Sequence, residues 1–294
     1  PYFSRRKADY DTAIRYHDEM LSLAYDRFVT RPDDRAACDA WCADPERWWL
    51  DDFALFAALK EFHGGRPWVD WEESEVFREK QALGAARVMH SCRIDEHRFR
   101  QWVFYTQWDR LRAYANGKGI RIVGDIPIYV AHDSSDVWVS PELFELDFNG
   151  RPHFIAGVPP DYFSATGQRW GNPLYLWDEH RTTGYRWWIK RLEAALRLVD
   201  IVRIDHFRGF DRYYKIPASR STAQGGRWVN GPKIDFFRVV SQGLGKALDE
   251  LPIIAEDLGD DLGEAIDLRK ALKLPGMSIL QFAFGANESE QNRF

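Results

Sequence analysis

Three acidic side chains stand at or near the ends of short apolar runs: Asp125 after Ile120-Arg121-Ile122-Val123-Gly124, Asp205 after Ile201-Val202-Arg203-Ile204, and Glu256 after Pro252-Ile253-Ile254-Ala255. Paired carboxyl groups suit cleavage of a glycosidic bond. One attacks as nucleophile while the other donates a proton from the opposite side, and in retaining chemistry the two sit about 5 Å apart. Arg203 and Asp205 are two residues apart, so on a strand both face the same side. A guanidinium beside a carboxylate favours the ionised form, ready for attack on an anomeric carbon. Glu256 follows an apolar run, a setting that raises a carboxyl pKa and suits a proton donor. Asp257 faces the other way if the strand persists, and reads as a helix cap or a supporting hydrogen-bond acceptor. The same spacing is compatible with a structural Arg203–Asp205 ion pair and a surface Glu256, so it leaves catalysis and packing both open.

The elements that must position these side chains are read from periodicity. Apolar, β-branched runs at 120–130, 199–207, 252–258 and 277–284 have the length of buried parallel strands. Helical patterns lie between them at 185–198, 234–251 and 262–272, the first with Trp188, Leu192, Ala195, Leu196 and Val199 on one face. Strand and helix in alternation imply a parallel sheet, open or closed into a barrel, whose active site forms at the C-terminal ends of the strands. Asp125, Asp205 and Glu256 fall at those ends. The stretch 131–180 is expected to be a long active-site loop, rich in glycine, proline and aromatic residues. Residues 1–118 carry helical periodicity and no convincing strand, and are expected to form a helical insertion or subdomain; 119–294 carry the catalytic portion. Gly64-Gly65 and Gly117-Lys118-Gly119 are expected helix stops.

Composition narrows the function classes. The 294 residues carry 45 acidic and 40 basic side chains, scattered rather than blocked, which argues against a nucleic-acid surface. No run of 18 apolar residues occurs and the start is polar, so no membrane span or secretory signal is read, and the expectation is a cytoplasmic protein. The 3 cysteines, Cys38, Cys42 and Cys92, form no even disulfide framework, and the 8 histidines lack ligand spacing, so no metal is expected. Aromatic residues reach 15%, with 13 tryptophans. Flat apolar faces with polar tips suit stacking on sugar rings, although packing accounts for most of them, Trp138 and Trp177 included.

Ordered motifs carry a resemblance. Gly124-Asp125-Ile126-Pro127-Ile128-Tyr129-Val130, Gly157-Val158-Pro159-Pro160-Asp161-Tyr162-Phe163-Ser164 with Gly167-Gln168-Arg169-Trp170-Gly171-Asn172-Pro173, Arg203-Ile204-Asp205-His206-Phe207-Arg208-Gly209 and Ile254-Ala255-Glu256-Asp257-Leu258-Gly259 resemble those of the amylomaltases, the 4-alpha-glucanotransferases of glycoside hydrolase family 77. The resemblance covers nearly all of 119–284, and more loosely the residues before it. It implies an α/β fold, the (β/α)8 TIM barrel of the alpha-amylase superfamily, with no cofactor and no catalytic metal. It implies Asp205 as nucleophile, Glu256 as general acid/base and Arg203 holding the nucleophile. His206 would bind a sugar hydroxyl and Asp125 would lie near the donor-side glucose. Tyr162 and Phe163 would line the glucan path in a loop over the cleft, with Gln168 and Trp170 toward the acceptor. The implied partners are maltooligosaccharides and starch- or glycogen-derived alpha-glucans. A hydrolase with the same carboxylates and a glucan-binding protein without turnover are the competing outcomes.

Two family features are not read. Nothing before Gly119 resembles the first two barrel strands, and no Thr-His-Asp segment bearing a third carboxylate is found up to Phe294. With four candidate strands where a closed barrel needs eight, about half of the barrel is expected, as an internal portion of a longer enzyme. These residues alone are expected to be poorly soluble and nearly inactive.

Overall fold

The computed structural model describes residues 7–161, 164–259 and 262–280. The chain divides into two compact units at Leu111/Arg112. The first unit is built of α1 (Tyr10–Phe28), α2 (Pro32–Cys42), α3 (Leu50–Phe62), α4 (Glu73–Val76), α5 (Lys80–Met89) and most of α6 (Ser91–Gly117). Among its described residues there is no strand. Local chemistry starts these helices: the Asp9 carboxylate accepts from the Thr12 N–H at the head of α1, and Pro32 opens α2, where no intrahelical N–H bond is needed. After α3 the chain leaves through Gly64 and Gly65, both at positive φ, where a side chain would be strained. Tyr25, Phe28, Cys38 and Phe99 form a core cluster. Asp95 ties α6 to α1 and α2 by accepting from the Tyr25 hydroxyl at 2.6 Å and pairing with Arg35.

The second unit contains β1 (Val123–Pro127), α7 (Ser135–Val139), β2 (Phe154–Val158), β3 (Gln168–Pro173), α8 (Trp177–Thr182), α9 (Arg186–Leu198), β4 (Ile201–Asp205), β5 (Arg212–Pro217), β6 (Arg227–Asn230), α10 (Lys233–Gly243), β7 (Ile253–Ala255) and α11 (Gly263–Ala271). β1, β4 and β7 form a parallel sheet in the order β1-β4-β7. The strands are shorter than their apolar runs. At the first, Asp200 intervenes: its carboxylate accepts from the Ile122 N–H, and the Ile122 carbonyl accepts from Asp200 and Ile201. On β4, Val202 and Ile204 are fully buried while Arg203 and Asp205 alternate to the other face.

The strand expected at 277–284 needs correction for its described part. Residues 277–280 belong to no sheet. The Met277 N–H is donated to the Asp257 carboxylate at 2.8 Å instead of to a ladder partner, and Pro275 just before it has no N–H to give. Residues 281–284 lie outside the described residues.

A second sheet was not anticipated. β3, β2, β5 and β6 pair antiparallel in the order β3-β2-β5-β6, so the stretch 131–180 carries strands and helices of its own. Ile155, Tyr214, Ile216 and Ala223 form its core cluster, and elsewhere in the unit Trp177, Trp188, Phe210 and Phe236 meet ring to ring at 4.6 to 6.3 Å. Trp138 and Trp177 are both buried. Among the described residues no helix is long and apolar enough to cross a membrane.

Candidate active site

Register assembles the site. Asp125 of β1 pairs across to Arg203 of β4, and Arg203 to Ile254 of β7, two residues before Glu256. The Glu256 N–H donates to the Ile204 carbonyl at 3.1 Å, which carries the parallel pairing one step past β7 and sets Glu256 beside Asp205. Neighbouring strands lie about 4.8 Å apart. Asp205 and Glu256 therefore leave adjacent strands at matching heights, near enough for the Asp205 charge to act on Glu256.

Arg203 is held on all its nitrogens. Nη1 donates to Asp125 at 2.7 Å, Nη2 to Asp205 at 2.8 Å, and Nε to the Met277 thioether at 3.0 Å. The Arg203 side chain is only 22% exposed, whereas those of Asp125 and Asp205 are 60% and 49% exposed, so the acids are open to solvent and the cation is more sheltered. The charge-assisted bond from Arg203 engages Oδ1 of Asp205.

Glu256 is held differently. Oε2 accepts from the His206 N–H at 2.9 Å and Oε1 from the Leu258 N–H at 2.8 Å. Burial raises its pKa and the Asp205 charge adds to the rise, against the two backbone N–H groups, which lower it. The two acids thus occupy unlike settings, one half-exposed and paired with a cation, the other partly buried near an anion. His206 follows β4 with φ at 55°, in the left-handed region, and this turn aims its N–H at Glu256. Burial lowers the His206 pKa to about 4, with the Arg208 charge adding, so the imidazole is neutral at pH 7. Its Nε2 is buried and has no hydrogen-bond partner among the described residues.

The antiparallel sheet brings a wall to this cleft. The Trp170 ring of β3 meets the His206 imidazole edge-on, centroids 4.8 Å apart, and its indole N–H donates to Gln168 at 3.1 Å. Both β3 residues are exposed. Tyr129 underlies Trp170 at 6.5 Å and stacks on Tyr175, whose hydroxyl donates to the Ile128 carbonyl just past β1. Tyr162 and Phe163 lie outside the described residues. The structure therefore brings together Asp125, Arg203, Asp205, His206 and Glu256, with Trp170 on His206 and Gln168 joined through Trp170. Met277 and Tyr129 escaped the sequence reading, because each acts through a contact distant in sequence, and Met277 was visible only as the first residue of an expected strand; the Leu258 N–H is local to Glu256 but carries no side-chain signal. Among the described residues no group of three or more His, Cys, Asp or Glu is placed to hold a metal ion.

Comparison with known proteins places this arrangement in context. The family model described as 4-alpha-glucanotransferase matches residues 3–294. A 4-alpha-glucanotransferase of Thermus thermophilus is 48% identical over 97% of this chain and 56% of its own length. One from Synechocystis is 46% identical over 98% of this chain and 57% of its own length. The chain thus spans a little over half the length of these relatives. The solved amylomaltase of Streptococcus agalactiae, in complex with acarbose, superimposes with a TM-score of 0.91 at 38% identity, over 97% of this chain and 57% of that one.

Proposed function

The chain belongs to the 4-alpha-glucanotransferase family, and from that premise we propose that it carries the reacting carboxyl groups of an enzyme that moves alpha-1,4-glucan segments between maltooligosaccharides. The parallel strands β1, β4 and β7 would be part of a (β/α)8 barrel, with residues 1–118 as a helical insertion and 119–294 as the barrel portion. The observation that carries the reading is the unlike environment of two neighbouring acids: Asp205 half-exposed against Arg203, Glu256 partly buried with its pKa raised. Asp205 attacks C1 of the donor while Glu256 protonates the departing glycosidic oxygen. Glu256 then takes the proton from an acceptor 4-hydroxyl, which attacks C1 and displaces Asp205. Configuration is retained and the number of glycosidic bonds is unchanged.

The remaining side chains divide the binding work. His206 Nε2 and Asp125 meet hydroxyls of the donor-side glucose, and the Trp170 face stacks an acceptor sugar with Gln168 at its edge. Tyr162 and Phe163 are assigned to the glucan path from the motif alone. The acarbose complex of the Streptococcus agalactiae relative supports glucan binding by this chain. Exclusion of water by the residues over the cleft would favour a sugar acceptor over hydrolysis.

Incubation of the natural polypeptide with maltotriose tests the reading. Transfer releases glucose and builds longer oligomers at a constant reducing-end count, whereas hydrolysis raises that count. Asp205→Asn is expected to lower the transfer rate by about 10⁴-fold or more, as losses of covalent nucleophiles do. A near-normal rate in that variant would rule out the assignment.

A further inference from the structure

The guanidinium of Arg203 is planar, and its direction is fixed only when contacts on separate nitrogens define the plane. Two of its contacts, to Asp125 and Asp205, go to carboxyl groups that are half-exposed or more. Ion pairs of that exposure constrain geometry weakly, because water competes for both partners. With those two alone, the guanidinium could still swing about the line joining the carboxylates. The third contact comes from Met277, whose thioether accepts from Nε.

Met277 is itself stitched to the strand that carries Glu256. The Ala255 N–H donates to the Pro275 carbonyl at 2.9 Å, one residue before Glu256. Asp257, one residue after Glu256, accepts from the Met277 N–H through Oδ1, and its Oδ2 lies 2.7 Å from Nε of Arg269 on α11. Only 8% of the Asp257 side chain is exposed, so its pairing with Arg269 is shielded. Arg269 in turn donates to the Leu274 carbonyl at 3.1 Å, closing the turn from α11. Gly276 is required by this packing: a Cβ there would stand 2.5 Å from Asp257 Oδ2.

We propose that residues 275–277, clamped to both flanks of Glu256 by Ala255 and Asp257, act as a positioning strut that carries the placement of Glu256 across to Arg203 through the Met277 thioether, and so sets the alignment of Asp205 against its acid/base. Met277 and Asp257 are positioning residues; neither touches substrate. The inference rests on the roles proposed above for Asp205, Glu256 and Arg203. It explains why Asp257, beside the acid/base, is spent on a backbone N–H and an arginine.

The test is a kinetic cycle in the natural polypeptide with maltotriose as donor and acceptor. Met277→Leu keeps the bulk and removes the acceptor, and is expected to lower kcat about 10- to 100-fold, the scale of a small misplacement at a reacting centre, with KM within about twofold and an unchanged melting temperature. Gly276→Ala, which displaces Asp257, is expected to give the same split. In an Arg203→Ala background, Met277→Leu should cost nothing further, because the strut then has no cation to hold. Full activity in Met277→Leu overturns the strut, as does an equal further loss in the Arg203→Ala background. A normal rate in Asp205→Asn, measured alongside, would instead sink the underlying assignment of the nucleophile.

Discussion

The two ends of β4 carry the same pair of residue types and use them in opposite ways. At the N-terminal end, Asp200 meets Arg112 at 2.6 Å, and every direction around the pair is filled. Arg112 also donates to the carbonyls of Arg197 and Val199, while Asp200 accepts from the Ile122 N–H and the Asn116 amide, both at 2.8 Å. At the C-terminal end, Asp205 meets Arg203 and remains 49% exposed, against 16% for Asp200. The first pair closes the joint between α6, α9 and the sheet. The second leaves an oxygen, an imidazole nitrogen and a protonatable acid facing a cleft. Saturation marks the structural end and unfilled capacity marks the chemical end, which is the division of labour expected of parallel strands.

Substitution at each end should therefore fail in a different currency. After Asp205→Asn, the largest effect is expected of Glu256→Gln. Transfer from maltooligosaccharides should fall about 10²- to 10⁴-fold, the usual worth of a positioned general acid, with the melting temperature within a degree or so. A donor whose leaving group needs no proton should recover much of the first step, and a burst experiment would read it. At the other end, Arg112→Ala should cost stability, about 2 to 3 kcal/mol, because it strands a largely buried Asp200 and leaves two backbone carbonyls without their donor. Its kcat should stay within about twofold. Thermal melts and initial rates on both variants suffice; a rate collapse in Arg112→Ala without a fall in melting temperature would break the comparison between the two ends.

How much of this was legible in the sequence follows from the range of each interaction. Period-two alternation gives Arg203 and Asp205 a common face, and an acid at the end of an apolar run is local information, so Asp125, Asp205 and Glu256 could be read as acids gathered at one end of the sheet. The α9 face could be read as well, since Trp188 and Leu192 are spaced on one stripe and both are fully buried. The antiparallel sheet could not. β5 and β6 are short, polar at intervals, and β5 is paired with residues more than 60 positions away, as Pro217 is with Phe154. Residues 277–280 misled for the complementary reason: their apolar character reads as a strand, but a side-chain carboxylate captures the backbone N–H that a strand would need. The acidic cleft was therefore visible in the residue types, while the contacts that support it, Met277 on Arg203 and Trp170 on His206, depend on tertiary placement alone.

The finest distinction between the two ends is their response to acid. Asp200 is held down to a pKa of about 2, first by the Ile122 N–H and then by Arg112 and Asn116. A depressed carboxylate contributes stability that is present above its unfolded value near 3.8 and is lost only as pH falls through 2. The C-terminal end leans on Tyr175, whose hydroxyl holds the Ile128 carbonyl and whose ring meets buried His180 at 5.1 Å. Burial lowers the His180 pKa to about 4. A depressed histidine favours the folded state above its unfolded pKa of about 6.5, and that contribution is lost as pH falls from there toward 4, at most about 3 kcal/mol. The site end should thus loosen in mild acid while the joint at Asp200 still holds. His180→Phe removes the titration and keeps an aromatic ring. Its melting temperature should fall less than that of the natural protein between pH 6.5 and 4.5, and the two curves should run parallel above pH 7. If the curves run parallel through the acid range too, His180 is not the group that makes this end sensitive, and the contrast in acid response between the ends of β4 loses its cause.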